Sequence, residues 1–343
     1  MRLLAPVVVL ILALPLAPGV PADFLPATPM PSKPLNTDAV ITRIAAGSCY
    51  RPARPDTIFR TIREARPDLF LFIGDNVYPE SEHDDPALSS LKQAYALLAQ
   101  SSAFSALRAE IPVITTWDDH DYGLDDAGRS FRHRETAESL FEHVWALGPD
   151  DPRRQREGVY HEVITGPAGR QLQMILLDTR FFRSDYDSTE PTMLGETQWQ
   201  WLTDMLEKPA DLRLLVSPVI VFGPGYSEAW TRMPGELRRL TALLHRTGNI
   251  FMVSGDLHSA AFYHKVDSDR EVVEIVASSL NDPLSGILSQ VTDRPEAARL
   301  GVPFHDANFA LIDIDWQIGN ILLTVRDQAG RVVRELTVAM PRH

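Results

Sequence analysis

The sequence contains a single cysteine, Cys49, among 343 residues. With no second thiol, no intramolecular disulfide can form. Positive charge is also in deficit: 33 Lys and Arg against 46 Asp and Glu leave a net charge of −13. That balance argues against a nucleic-acid groove, which depends on clustered cations to neutralise phosphates. No internal repeat is visible, and nothing between 39 and 343 reads as a long linker. The sequence has one long apolar run, Leu3 to Leu16, shorter than the roughly 20 residues needed to span a bilayer.

That run has the marks of an export signal. Arg2 supplies the positive start, and Val20-Pro21-Ala22 offers small residues for a cut. The alternative is a membrane anchor. We read residues 1–22 as a signal peptide, with no stable membrane anchor after cleavage, and the protein as exported, periplasmic or secreted. Residues 23–38 carry Pro26, Pro29, Pro31 and Pro34 and read as an extended leader without fold of its own. Residues 39–343 then form one domain, long enough to bury a large core.

Within that domain, apolar runs alternate with helical patterns. Leu69–Ile73, Ile111–Thr116, Leu172–Leu177, Leu214–Val216, Val219–Phe222 and Ile250–Ser254 read as strands. Asp56 is a plausible N-cap for a helix with Ile58, Phe59, Ile62 and Ala65 on one face. Two further helices carry Trp199, Leu202, Met205 and Leu206, and Leu237, Leu240, Leu243 and Leu244. At the C-terminus, Ala310–Trp316, Ile321–Arg326 and Val332–Val338 read as an antiparallel meander with turns at 317–320 and 327–330. Strands and helices throughout favour two packed sheets flanked by helices.

Four segments place ligand-type residues directly after an apolar strand, where chains gather distant side chains into one site. They are Gly47-Ser48-Cys49, Gly74-Asp75-Asn76-Val77-Tyr78, Trp117-Asp118-Asp119-His120-Asp121 and Gly255-Asp256-Leu257-His258. Cys49 reads either as a small buried apolar residue or as a metal-bound thiolate. Thiolate and phenolate donors suit trivalent iron better than magnesium. The Asp118–Asp121 run is either a solvated acidic loop or a set whose repulsion a cation relieves. Asp256 and His258, at i and i+2, point the same way if strand geometry continues. Asp125 and Asp126 are read as support for the site or as simple turn residues. Arg180 and Arg183 follow the strand ending at Leu177 and are candidate cations for the site, with surface ion pairs as the alternative. His133, His143, His161, His245, His264 and His305 are read as structural or surface residues.

In this order the four motifs resemble the PhoD-type alkaline phosphatases of the calcineurin-like metallophosphoesterase superfamily. Leu177-Asp178-Thr179-Arg180, Glu228-x-Trp230 and Asn308–Trp316 add weaker echoes, and the resemblance covers roughly residues 41–320. It implies an α+β, four-layer sandwich: two mixed β-sheets face to face, with helices on both outer faces. It implies hydrolysis of phosphate monoesters or diesters through a metal-activated water at a dinuclear Fe(III) and Ca(II) centre, another divalent ion being possible at the second site. Cys49, Asp75 and Tyr78 would hold the iron, with Asp75 bridging. Asp119 and Asp256 would hold the second metal, and His258 would lie on the iron side. His120 would be an acid or phosphate contact, with Asp119 and Arg180 as further catalytic residues. The substrate would be a small or polymeric phosphate ester. A phospholipase D-like or teichoic-type phosphodiesterase is the alternative on the same site, and a non-catalytic, calcium-stabilised binding domain is a third. Cys49 and Tyr78 weigh against that third reading, because a structural calcium site has no use for thiolate or phenolate. Residues 223–228 depart from the family pattern, which often has a His there.

Overall fold

The computed structural model describes residues 27–80, 85–223, 228–267, 270–284, 293 and 296–340. The expected signal segment, the first four leader residues and the divergent stretch 224–227 lie outside the described residues.

One sheet contains β1 (Arg43–Gly47), β2 (Leu69–Ile73), β3 (Val113–Thr116), β11 (Asn308–Asp315), β12 (Asn320–Asp327) and β13 (Val332–Ala339), in the order β13-β12-β11-β1-β2-β3. β1, β2 and β3 run parallel, and β11 to β13 form the expected antiparallel meander. The other sheet contains β4 (His161–Thr165), β5 (Leu172–Leu176), β6 (Leu212–Ser217), β7 (Ile250–Ser254), β8 (Ala260–Asp267), β9 (Arg270–Ala277) and β10 (Arg299–Phe304). Its order is β10-β8-β9-β7-β6-β5-β4, with β5, β6, β7 and β9 parallel. Both sheets are therefore mixed.

The apolar runs are continuous because both faces of these strands are covered. Leu69, Leu71 and Ile73 face Met174, Leu176, Leu214 and Val216 between the sheets. Phe70 and Phe72 face outward, onto α1 (Thr57–Glu64), α2 (Ser89–Gln100), α3 (Ser102–Glu110) and α5 (Arg134–Val144), while the single turn α4 (Asp119–Tyr122) follows β3. On the far side, Ile175, Leu215 and Met252 pack under α6 (Gly195–Leu206) and α7 (Pro234–Thr247). Helices, sheet, sheet, helices: these are the four expected layers. Each fully buried large side chain contributes about 1.5–3 kcal/mol. Among the described residues no helix is long and apolar enough to cross a membrane.

Several local expectations need correction. Val219–Phe222 is not a strand. Pro218 follows β6, and the buried Glu274 carboxylate accepts the Val221 and Phe222 N–H groups at 2.8 and 2.7 Å, doing the work of a neighbouring strand. β3 begins at Val113 rather than Ile111, because Ile111 still bonds back to Leu107 as the C-cap of α3. Asp56 does not cap α1 with its side chain; its carboxylate instead accepts from Ser101 Oγ and the Ala103 N–H at the start of α3. The described part of the leader has no helix or strand but is packed down. Ala27 and Met30 are buried in the helical layer, and the Met30 N–H donates to the Val144 carbonyl.

Candidate metal centre

The parallel strands β1, β2 and β3 of one sheet and β7 of the other all end at the same edge of the sandwich. The next residues turn sharply. Cys49, Asp75, Asp256 and His258 all have positive φ, at 57°, 47°, 67° and 53°. Each such non-glycine position costs of order 1–2 kcal/mol and persists only where its surroundings enforce it. Gly74, at φ +102°, precedes Asp75, and a Cβ there would stand 2.8 Å from Asp118 Cβ. Gly255 packs as closely, with a notional Cβ 2.7 Å from Ser48 Oγ and 2.9 Å from the Pro218 carbonyl.

These turns bring three overlapping ligand sets together, each with donor atoms within 4.8 Å of one another: Cys49, Asp75 and His258; Asp75, Asp119 and His120; and Asp75, Asp118 and Asp256. Asp75 is common to all three. Tyr78 joins the first set, its Oη 2.7 Å from Asp75 Oδ2 and 3.0 Å from His258 Nε2, while Cys49 Sγ lies 3.5 Å from Asp75 Oδ2. His258 Nδ1 donates to the Asp282 carbonyl, so in a neutral ring Nε2 presents a lone pair to the cluster. One phenol proton can then serve only one of its two contacts, and a cation among them removes the conflict.

The electrostatics point the same way. Burial, then the Asp75 charge, push the Cys49 thiol and the Tyr78 phenol well above their ordinary values. Asp75 is raised by burial and by Asp119. Burial raises Asp118, against the pull of Arg180, and it raises Asp256 together with the Glu228 charge. Asp119 goes the other way: burial is outweighed by Arg180, His120 and the Asp126 N–H, and it falls to about 2. Asp75 Oδ1 and Asp118 Oδ2 are buried without a hydrogen-bond partner among the described residues. Crowded carboxylates with orphaned oxygens, beside a thiol, a phenol and an imidazole, fit bound cations. Sulfur and phenol join His258 in the first set, the Asp75, Asp118 and Asp256 set is oxygen alone, and His120 brings a second imidazole beside Asp119.

Asp118 was missed by sequence reasoning, which took only Asp119 from that pair. The signal available was its place, directly after Trp117 at the strand end. Asp121 does not join the cluster. Its carboxylate accepts from the N–H groups of Asn76 and Asp118 and from Tyr95 Oη, and burial holds its pKa up at about 8. Asp256 and His258 do not point the same way. Strand geometry stops at Ser254, and the two side chains enter different sets. Asp126 supports the site through its N–H on Asp119 Oδ2, at 2.8 Å. Arg180 and Arg183 are not surface residues, being 0% and 1% exposed. Arg180 pairs with Asp118 and Glu228 and lies 3.5 Å from Asp119; Arg183 bonds Asp126 at 2.8 Å. His120 stacks on Tyr78, ring centroids 4.1 Å apart, and is partly exposed. Among the described residues, none of the six histidines set aside above belongs to a ligand set.

A sandwich of two mixed sheets with this cluster at its edge is the architecture of a metal-dependent phosphoesterase. The sequence matches the profile of the PhoD-like phosphatase family over residues 43–329, and the chain belongs to that family. Among solved structures it resembles one titled "Structure of PhoD", at 17% identity and a TM-score of 0.70, covering 91% of this chain and 74% of that one. It also resembles GAP50, the anchor in the inner membrane complex of Plasmodium, at 15% identity and a TM-score of 0.59, covering 89% and 90%. At these identities the likenesses show the fold. No curated protein sequence matches the chain.

Proposed function

We propose that the chain is an exported hydrolase of phosphate monoesters or diesters built around iron and calcium, with 1–22 a cleaved signal peptide, 23–38 a leader and 39–343 a single catalytic domain. Cys49, Tyr78, Asp75 and His258 would hold the iron; Asp75, Asp118, Asp119 and Asp256 would hold the harder ion. The observation that carries this reading is Asp75, shared by all three ligand sets, with the Cys49 thiol and the Tyr78 phenol both against its Oδ2. When bound, the ions would supply hydroxide from water at working pH and draw charge from the phosphoryl oxygens.

The rest falls to the chain. Asp75 sets the spacing of the two halves, one oxygen held by Tyr78 Oη and the other open. Asp282 fixes the His258 ring through its carbonyl. Arg180 acts as a buried counter-charge that keeps Asp118, Glu228 and Asp119 together. His120, on the face of Tyr78 and partly open to water, would hand a proton to the departing alkoxide.

Metal analysis of the purified protein should find iron and calcium, and a ferric thiolate–phenolate centre should absorb visible light. An aryl phosphate and its diester would then be compared as substrates. Asp75→Asn should lose both the ions and at least about a hundredfold in turnover, as expected when a preorganised site loses a central group. Full turnover in that variant, or a colourless protein active without metal, would sink the proposal.

A further inference from the structure

The function above calls for a cation that can meet the phosphate ester, and Arg180 and Arg183, buried and engaged by carboxylates, are not open to it. Arg51 is placed differently. It follows Cys49 by two residues, its side chain is 40% exposed, and its guanidinium lies over the Tyr78 ring, 4.1 Å from the centroid. His120 lies at the same distance from that ring. Two planar groups so close cannot share one face, so Arg51 and His120 sandwich Tyr78, whose hydroxyl stands in the metal cluster. Arg51 is held there from behind: its Nε donates to Asp282 Oδ2 at 2.7 Å, and its N–H donates to Asn281 Oδ1 at 2.7 Å. Arg54 grips the other oxygen of Asp282 at 2.5 Å.

Arg51 and Tyr78 also line a cleft of about 390 Å³, together with Glu80 and with Ser89, Gln93 and Leu97 of α2. Tyr78 thus belongs to the cluster and to the cleft, and Arg51 lies at their junction. The lining sets the Arg51 guanidinium, the Glu80 carboxylate, the Ser89 hydroxyl and the Gln93 amide among the apolar Pro52, Ala53, Ala94 and Leu97. A long acyl chain would cover the apolar groups but strip water from the polar ones and return no hydrogen bonds. A hydroxylated alcohol would replace the lost water contacts. The volume lies at the small end of ligand sites, which run from about 300 to 1,000 Å³.

Resting on the phosphoesterase reading, we infer that this cleft is the subsite for the alcohol portion of the ester, that it takes a small polar alcohol rather than a lipid, and that Arg51 binds the phosphoryl group at its mouth. Arg51 is then a catalytic residue, while Asp282 and Arg54 position it.

Two measurements on the metal-loaded protein test this. Gln93→Trp narrows the cleft from an exposed helical position. It should lower kcat/KM for glycerol 2-phosphate roughly tenfold more than for methyl phosphate, which has almost no alcohol portion to seat, in line with a loss of about 1–3 kcal/mol in a pocket contact. Equal losses for both esters would overturn the subsite. Arg51→Gln should weaken binding of inorganic phosphate, followed by calorimetry, roughly tenfold more than Arg54→Gln, as expected for a lost charged hydrogen bond. Arg54 shares the Asp282 clamp without lining the cleft, so equal effects would make Arg51 structural and overturn its role. Iron content and the visible spectrum, unchanged in Arg51→Gln, separate phosphate binding from metal positioning; loss of iron would also overturn the assignment. If the wild-type protein hydrolyses neither monoester nor an aryl phosphodiester, the phosphoesterase reading itself fails and the subsite falls with it; turnover of the diester alone overturns the subsite while that reading stands. Turnover of both monoesters, with no discrimination in Gln93→Trp, rejects the subsite alone.

Discussion

Asp75 sits in left-handed backbone at φ 47°, directly after Gly74 at φ +102°. The pair lets the chain reverse between strand β2 and the cluster with the Asp75 carboxylate at its centre. Gly74 has two separate reasons to be glycine: its dihedral, and the 2.8 Å approach of Asp118 Cβ to any added Cβ. Gly74→Ala should therefore cost at least about 2 kcal/mol and displace Asp75 and Asp118 together. Thermal unfolding and metal content would both fall. Gly319 makes a useful comparison, because it too has positive φ, at +77°, but a Cβ there meets nothing within 4 Å. Gly319→Ala should carry only the backbone cost and keep the metals. Equal metal retention in the two variants would show that the close approach to Asp118 does not matter. At this scale the sequence was informative about residue types. Cys49, Asp75, Tyr78, Asp119, Asp256 and His258 do converge. The choice between neighbours was not legible, since Asp118 and Asp119 differ only in the direction set by the turn that separates them.

Among the elements, the segment after β6 shows how a carboxylate can stand in for a strand. Val219–Phe222 has the composition of a strand and is buried like one, yet its amides are met by Glu274 on β9. Ser254 Oγ at the end of β7 donates to the same carboxylate. Glu274 thus ties an irregular segment to the strand that leads into Asp256. Removing it by Glu274→Ala strands two buried N–H groups, which should cost roughly 3 kcal/mol. Glu274→Gln, which retains one acceptor oxygen, should lose less. Denaturant midpoints would measure both; a wild-type midpoint for the alanine variant would mean that water or a rearranged backbone meets those amides instead. The apolar run was legible as buried, but its lack of strand pairing was not, because the partner lies some fifty residues away on another strand.

Across the whole molecule, the two sheets each contribute part of one centre: Cys49, Asp75, Asp118 and Asp119 follow strands of the first, and Asp256 and His258 follow β7 of the second. Ions held between them would act as a clasp across the sandwich. An ion at a hundred times its dissociation constant stabilises the folded state by about 2.7 kcal/mol. Chelation should accordingly lower Tm by several degrees, and readdition of iron and calcium should restore it, as scanning calorimetry would show. An unchanged Tm after complete metal removal would mean that apolar packing alone holds the sheets at that edge. The sequence by itself determined the layers, because runs such as Leu69–Ile73 can only be buried on both faces, and it determined the chemistry of the centre, because four strand-end motifs carry thiol, phenol, imidazole and carboxylate. Only the tertiary structure decided that Asp118 joins Asp75, that Asp256 and His258 part company, that Arg180 is enclosed by carboxylates and that Arg51 lies over the Tyr78 ring. Those outcomes depend on left-handed turns at non-glycine residues and on the apposition of two sheets, and local composition carries neither.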